Sequence, residues 1–513
     1  MMAAEQMTAF HTLASLLNGI ATVPAIDDRD VTGIALDSRQ VTPGSLFLAC
    51  TGEHQHGLAF TEQAVSQGAS AIAWEPDGGE VDRIAAQMNL SVPLIAIPQL
   101  SQRVSQIAAL FYGHPSRFMT VYGITGTNGK TTISQLLAQA LMSEIPCGIL
   151  GTLGVGLPGQ LTATGYTTPD AVTLQKLLAE LLQQGVQALT MEVSSHALDQ
   201  DRAAAVQFDS AIFTNLSRDH FDYHETLENY AAAKQRLFNM PDLTSAVINL
   251  DDPFGSQLIG SLADSVEVLG YSIEPTEPLP VGLTGWARAE RIDPSTQGMK
   301  IHISSHWGED VLETSLLGRF NAANLLAVLL VLLHKGWALQ RALKVMAGLH
   351  TVPGRMELLG GEEKPGVVVD YAHTPDALEK ALQALRKHCP GRLSVVFGCG
   401  GDRDRGKRPL MGGVAEKLAD QLYVTDDNPR GEPSGEIIRQ ILAGLSEPDK
   451  VYVEPDRGRA IHVALTAASP GDLVLVAGKG HEDYQLVAEQ VLHFDDREQV
   501  LAALNAWQGG VDE

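Results

Sequence analysis

The chain is short of cysteine, short of basic charge and without a long apolar run, and each shortage removes a class of protein. Four cysteines, Cys50, Cys147, Cys389 and Cys399, are scattered through 513 residues with no Cys-x-x-Cys spacing. Such usage fits a reducing compartment, and neither a disulfide nor a structural zinc is expected. There are 36 Lys and Arg against 61 Asp and Glu, a formal net charge of −25. Nucleic acids are held by clustered basic side chains that release counterions, so no nucleic-acid partner is expected, although one local basic site can still take a nucleotide. The longest apolar run, residues 325–333 in NAANLLAVLLVLLHKGW, is about half the length that spans a bilayer and reads as a buried helix. The opening MMAAEQMTAFHTLASLLNGI lacks a basic start followed by an apolar stretch. No signal peptide or membrane insertion is expected, and the location expected is the cytoplasm. No internal repeat or low-complexity tract stands out.

What the sequence does contain is alternation. The length is too great for one hydrophobic core and suggests about three domains of roughly 150 residues each. From about Phe118, short apolar runs (FMTVYGI, ALTMEV, SAIFTN, SAVINL) alternate with segments of helical period. That is the pattern of an α/β fold with a mostly parallel sheet. Ahead of it, VTGIALDS, GSLFLAC, ASAIAW and PLIAI suggest a separate small α/β domain. The Pro-Gly pair in TVPGRME, residues 351–357, marks a linker, after which VVVDY, LSVVFG, QLYVT and DLVLVAG begin a second alternating set. The expected domains are residues 1–113, 114–350 and 351–513.

In open α/β sheets ligands sit beyond the carboxyl ends of the strands. The segments that follow the runs are GTNGKTT, SSH, NLSRDH, AHTPD, CGGDRDRGKRP, DDNPR and GKGHE. Loops are commonly polar, but the repeated Gly, Asp, Arg and His along one edge point to a shared site.

The stretch GITGTNGKTT, residues 123–132, departs from the phosphate-loop pattern G-x-x-x-x-G-K-[ST], because Ile124 stands where a glycine is asked for and Gly126 comes two residues later. Its context, a strand before and the helical TISQLLAQALM after, is nevertheless that of a phosphate loop. The backbone from Gly126 through Thr127, Asn128, Gly129, Lys130, Thr131 and Thr132 would present N–H groups to phosphate oxygens. Lys130 would reach the terminal phosphates and the Thr131 hydroxyl a magnesium ion. An ordinary Gly-rich turn before a helix is the alternative. Glu192 and His220 follow neighbouring strand runs and suit an oxygen-preferring ion beside a nucleotide, though each taken alone is as readily a surface residue. In ETLENYAAAKQRLF, Leu227, Tyr230, Lys234, Leu237 and Phe238 recur at helical steps, which places Lys234 on an apolar stripe. A charged amine there must be paired or modified, or must snorkel to the stripe's edge.

Taken together, TGTNGKTT, MEVSSH, TNLSRDHFDYH, YAAAKQRLF, GRFNAANLLA, PGRME, DYAHTPDAL, GCGGDRDRGKRP, TDDNPR and AGKGHED resemble, in order and through most of the chain, the Mur ligases of peptidoglycan synthesis. The shifted phosphate loop is the usual form in that family. The resemblance implies a small N-terminal domain for a UDP-sugar, a central P-loop ATPase and a C-terminal Rossmann-like domain for an incoming amino acid. It also implies ATP as co-substrate, with Mg2+ held by Thr131, Glu192, His220 and Lys234, the last carrying a carbamate. The adenosine end would meet Asn324, Arg355 and Asp370, with His373 beside them.

For the UDP-sugar peptide, the matching positions are Ser38, near Leu36 in LDSR, with His54, Gln55, His56, Thr167, Thr168, Ser194, Gln200 and Arg202. For the amino acid they are Arg403, Asp427, Asn428, Pro429, Arg430, Gly478 and Glu482. DDNPR resembles the form in ligases that add meso-2,6-diaminopimelate to the D-glutamyl γ-carboxylate of UDP-N-acetylmuramoyl-L-alanyl-D-glutamate. There the arginine can grip the carboxylate that lysine lacks. The rivals are a lysine-adding ligase, a folylpolyglutamate synthase and a nucleotide-binding protein without catalysis. The expected state is a monomer acting on small molecules.

Overall fold

The computed structural model describes residues 11–52, 55–217, 219–274 and 278–508. The chain divides into two compact units, residues 1–270 with 280–284, and residues 271–279 with 285–513.

Besides the short antiparallel pair His11–Thr12 and Asp30–Val31, the described residues of the first unit form strands of two larger sheets. In the smaller, Gly33–Ala35, Ser45–Ala49, Ala71–Trp74 and Leu94–Ala96 lie parallel and in chain order. Successive side chains of a strand point to opposite faces. Leu46 and Leu48 accordingly enter one core with the helix Leu100–Phe111, while Phe47 and Ala49 enter another with Leu58 and Ala64. Burial on both faces explains why this strand reads as an unbroken apolar run.

In the larger sheet Thr120–Thr125 is central, with Ala188–Glu192 on one side and Ser210–Phe213 on the other, all parallel. Cys147–Gly151 and Ser245–Asn249 flank these in parallel. The carboxyl ends therefore share one edge, where Thr125 leads into the phosphate loop and Glu192 closes its strand. The helix Lys130–Leu141 starts directly from the loop and buries Ile133, Leu136 and Leu137. The strands Cys147–Gly151, Gly154–Leu157, Gln160–Thr162 and Glu267–Ser272 of this sheet are not among the runs expected from the sequence.

The second unit opens with an antiparallel meander, Gly285–Ser295, Gly298–Ser305 and Gly308–Thr314, also not anticipated. Arg319–His334 follows, with residues 325–333 all buried as expected of a core helix. Among the described residues no helix is long and apolar enough to cross a membrane. A six-stranded sheet completes the unit, in the order Glu357–Gly360, Gly366–Asp370, Leu473–Ala477, Leu393–Phe397, Gln421–Val424, Tyr452–Val453. Only the first pair is antiparallel. The eight runs expected as strands after Phe118 all form strands. Their carboxyl ends in this unit carry AHTPD, CGGDR, DDNPR and GKGHE.

One detail of the sequence reading needs correction. The helix Leu227–Gln235 buries Tyr230 and Lys234, and its 3-10 extension Arg236–Asn239 buries Leu237 and Phe238, but Leu227 is exposed. Leu227 is the first helical residue after the capping Thr226, whose side chain accepts from Asn229 N. The apolar stripe begins one turn later.

Candidate active site

In the phosphate loop Gly126 has φ +147°, and a Cβ there would meet Thr214 Oγ1 at 1.8 Å. Only glycine fits between this loop and its neighbour, which is why the glycine stands at 126. The loop is tied to residues 214–217. Thr127 N donates to Asn215 O at 2.8 Å, Asn128 N to Asn215 Oδ1 at 3.0 Å, and Thr214 Oγ1 to Asn128 O at 2.6 Å. Thr132 lies in the first turn of the helix that the loop starts. A helix N-terminus with free N–H groups favours an anion at this point.

Two lysines converge on the loop. Lys130 Nζ donates to Gly126 O and Thr127 O, each at 2.9 Å. Lys234 Nζ donates to the same Gly126 O at 2.9 Å and stands 4.2 Å from the centre of the Tyr230 ring. Lys234 is 1% exposed. Burial, and then the neighbouring Lys130 charge, hold its pKa well below that of an ordinary lysine. Burial also lowers Lys130, against the pull of Glu192 and Asp219. The inward lysine read from periodicity is therefore real, and it is driven toward the neutral amine.

Glu192 faces the first turn of the loop helix. Its Oε2 accepts from Thr131 Oγ1 at 2.8 Å and Thr152 Oγ1 at 3.1 Å, and its Oε1 from Thr152 N at 2.9 Å. Burial raises its pKa, opposed by these bonds and by Lys130. A Cβ on Gly151 would come within 2.2 Å of Glu192 Oε1, so the glycine makes room for the carboxylate. Thr152 was missed because CGILG was not read as a strand; its position just past a strand end was the available signal.

His220 has φ +53° and is half exposed, with Asp219 Oδ2 3.5 Å from its Nε2. Its ring centre lies 5.0 Å from that of His196 and 6.0 Å from that of Tyr230. Tyr230 OH reaches Thr127 Oγ1 at 3.3 Å, so His220 borders the loop through aromatic neighbours.

A polar chain continues from Glu192. Thr168 Oγ1 donates to Glu192 O at 2.9 Å and accepts from Ser194 N at 3.1 Å. Arg202 donates to Thr168 O at 3.0 Å and to Gln200 Oε1 at 2.9 Å. Thr167 Oγ1 pairs with Thr152 Oγ1 at 3.0 Å. Ser194 caps the helix Ser195–Asp199. These five expected UDP-sugar-peptide residues are thus grouped beside Glu192. In the smaller sheet's region, Ser38 Oγ donates to Gln63 Oε1 at 2.7 Å and Gln55 is exposed. His56 Nδ1 accepts from Leu58 N at 3.1 Å, capping the local turn, while Nε2 lies 2.9 Å from Glu75 O, just past the strand Ala71–Trp74. Leu36 is partly buried against that region's core. His54 lies outside the described residues.

In the second unit Asp370 Oδ2 accepts from Met356 N at 2.8 Å and Oδ1 from Ala372 N at 2.9 Å, pinning PGRME to the end of its strand. Burial raises its pKa. Arg355 lies over the Tyr371 ring at 4.8 Å, with His373 4.7 Å from that ring. Asn324 is buried in the helix Arg319–His334 and donates to Asn321 Oδ1 at 3.1 Å.

The loops bearing CGGDR and DDNPR meet. Arg430, at φ +50°, donates from Nη1 to Gly401 O at 3.0 Å, which leaves most of its five donors for a ligand. Arg403 is exposed on the facing loop. Arg408, missed from sequence, is fully buried and donates to both oxygens of Glu432, at 2.9 and 3.0 Å, and to Gly400 O at 3.0 Å. It clamps the two loops together. Asn428 Nδ2 donates to Glu482 Oε2 at 3.0 Å, Pro429 is buried, and Gly478 N donates to Asp370 O at 3.0 Å. Asp427 is buried, burial raises its pKa, and its Oδ1 has no hydrogen-bond partner.

Three family profiles match the chain: "Mur ligase family, catalytic domain" at residues 30–112, "Mur ligase middle domain" at 124–332 and "Mur ligase, glutamate ligase domain" at 354–480. A relative in Alkalilimnicola ehrlichii named UDP-N-acetylmuramoyl-L-alanyl-D-glutamate--2,6-diaminopimelate ligase is 48% identical over 501 residues, covering 97% of this chain and 99% of the relative. One of the same name in Pseudomonas aeruginosa is 50% identical over 478 residues, covering 93% and 95%. A solved structure of a ligase of that name superposes with a TM-score of 0.77 at 35% identity, covering 97% of this chain and 99% of the other. With profiles over most of its length, and relatives near half identity from end to end, the chain belongs to the Mur ligase family.

Proposed function

We propose that the chain is an ATP-dependent ligase that adds meso-2,6-diaminopimelate to the D-glutamyl γ-carboxylate of UDP-N-acetylmuramoyl-L-alanyl-D-glutamate. The observation that carries the reading is the meeting, on one phosphate loop, of Lys130, the Thr131–Glu192 pair and the buried amine of Lys234. Phosphoryl transfer asks a protein for positioning and charge neutralisation more than for covalent chemistry, and this is an arrangement for both. The γ-carboxylate attacks the γ-phosphorus of ATP and ADP leaves, with Lys130 and the helix N-terminus holding the phosphate oxygens. The amine of diaminopimelate then attacks the acyl carbon of the resulting acyl phosphate, and phosphate leaves.

The donor set fits magnesium. That ion prefers oxygen ligands and takes one or two carboxylates beside substrate phosphates. Among the described residues no three His, Cys, Asp or Glu cluster as a dedicated metal cage. Thr131 would serve one ion and Lys234, as its carbamate, a second, with Glu192 and His220 completing the ligands; when bound, magnesium supplies neutralisation of phosphate charge. Asn324, Arg355 and Asp370 would take the adenosine end. Thr167, Thr168, Ser194, Gln200 and Arg202 would take the sugar peptide, together with Ser38, His54, Gln55 and His56. The domains proposed are residues 1–113 for the UDP-sugar, 114–350 for ATP and 351–513 for the amino acid, in a monomeric cytoplasmic enzyme.

ADP release with ATP, magnesium and the sugar peptide tests this. Release is expected to depend on meso-diaminopimelate and to be slight with L-lysine. A preference for lysine would overturn the specificity, and no release with either would overturn the ligase reading. Arg430→Ala is expected to raise the KM for diaminopimelate about 100-fold, the scale for losing one partner of a charged pair, while leaving that for ATP within about twofold. Equal effects on both would refute the role given to Arg430.

A further inference from the structure

Lys479 lies in GKGHE, just past the strand Leu473–Ala477, and none of its side chain is exposed. Its Nζ donates to Asn428 Oδ1 at 3.2 Å and stands 3.5 Å from Glu482 Oε2 and 3.7 Å from Asp427 Oδ1. The Tyr484 ring centre is 5.6 Å away. A buried ammonium is strongly unfavourable unless paired. Here its partners are two carboxylates expected to receive the amino acid. Asp427 Oδ1, buried and without a hydrogen-bond partner, faces Lys479 from beyond hydrogen-bond distance.

We propose that Lys479 is a positioning residue of the amino-acid site: a resident cation that holds Asp427 and Glu482 together and charged, ready for the ammonium group of the incoming zwitterion. The inference rests on the ligase reading above. Two carboxylates closing on one pocket repel each other, and in a buried site one of them takes up a proton. A single lysine between them removes that repulsion and leaves one negative charge for one ammonium. The other cation nearby, Arg457, is already bonded to Asp496 through Nε and Nη2, each at 2.7 Å, and so is committed elsewhere. Asp426 is bonded by the Ser434 hydroxyl, and Tyr371, Tyr484, His481 and Arg355 are further titratable or charged neighbours. Burial depresses Lys479 while Asp427 and Glu482 support its charge, and Arg457 and Lys479 oppose the burial that raises Asp427.

The test uses the full chain with Lys479→Met, and with Lys479→Met combined with Asp427→Asn. In the single variant the KM for diaminopimelate is expected to rise about 100-fold and that for ATP to change less than about twofold. The raised KM should fall as pH increases, because without the lysine the carboxylates are protonated and alkali restores their charge. In the unaltered chain the KM should be flat across the same range. On thermal unfolding at neutral pH, the double variant should melt above the single one, since it removes a carboxylate that, without the lysine, can be buried only by taking up a proton. If the single variant does not fold, folding of the double variant supports the proposal and failure of both overturns it. An unchanged diaminopimelate KM, a pH-independent rise shared with ATP, or a double variant no more stable than the single overturns it too. Lack of ADP release by the unaltered chain would sink the ligase reading, and the melting comparison would then decide the charge pairing by itself.

Discussion

Lys234→Ala is expected to lower ADP release by on the order of 10²–10³-fold, the scale for losing one group that stabilises transition-state charge. Added formate or acetate is expected to restore part of it. The reasoning starts from Gly126 O, which accepts from two amines, Lys130 and Lys234. Two ammonium groups on one carbonyl repel each other, and Lys234, the less exposed to solvent of the two, is held further below the ordinary lysine range and loses its proton more readily. A neutral amine has the lone pair that carbon dioxide accepts. In the carbamylation proposed above, the N–C bond would form as one C=O π bond of carbon dioxide opens, the nitrogen would release a proton, and the side chain would end in a carboxylate where it had ended in an amine. A short carboxylate in solution can occupy the space left by Lys234→Ala and supply the same charge. If Lys234 served only to brace the loop through Gly126, activity would fall and no carboxylate would bring it back. Full activity in the variant would end the carbamate idea as well.

The second large effect concerns stability. Arg457 and Asp496 are both fully buried and joined by two hydrogen bonds of 2.7 Å, and Arg457 also donates to Ala477 O at 3.0 Å. Asp496→Ala strands a guanidinium in the interior. The expected cost is roughly 3–5 kcal/mol, the range for breaking a buried pair by removing one partner. For a unit of this size that lowers the melting transition by about 10 °C. Arg457→Met together with Asp496→Leu should recover most of the loss, because the penalty belongs to the uncompensated charge and not to the missing pair. A shift of under about 2 °C for Asp496→Ala, or a double variant as unstable as the single, would refute this account.

Much of this architecture was legible in the sequence, and for a physical reason. Parallel strands buried on both faces must be apolar throughout, so FMTVYGI, ALTMEV, VVVDY and DLVLVAG announce themselves. Lys234 was legible because a 3.6-residue period fixes which side chains share a face, whatever their polarity. The meander between residues 285 and 314 was not, since its strands bury alternate residues only: the intermediate positions of GMKIHISS carry Lys300, His302 and Ser304, which dilute any apolar run. Leu227 misled because a helix-end residue keeps the period but has no core beneath it. Within the site, loop residues could be recognised as polar but not sorted by burial. Nothing in GKGHE distinguishes the fully buried Lys479 from a solvent-facing lysine. Nor does sequence pair Arg408 with Glu432 or Arg457 with Asp496, because these contacts are made by folding between elements far apart in the chain. Nor does sequence show that both ring nitrogens of His56, a position matched by the resemblance, are engaged by backbone groups of Leu58 and Glu75.

The sheet of the second unit separates two kinds of evolutionary freedom. Its strands Leu393–Phe397 and Leu473–Ala477 are buried at every position, so a change of size at any of them disturbs packing on one face or the other. Of the loops beyond the carboxyl ends, the one after Leu393–Phe397 is clamped to the one after Gln421–Val424 by Arg408 and Glu432, and the one after Leu473–Ala477 meets the latter through Lys479 and Asn428. On the proposed assignment of these loops to the incoming amino acid, exchanging the residues there that carry no clamp, such as Arg403 and Arg430, would redraw the choice of amino acid while the scaffold beneath, and the phosphate chemistry proposed for the other unit, stayed as they are. A lineage built on such a plan can alter the composition of its cell wall by exchanging a few loop residues, without having to invent a new way to form the bond.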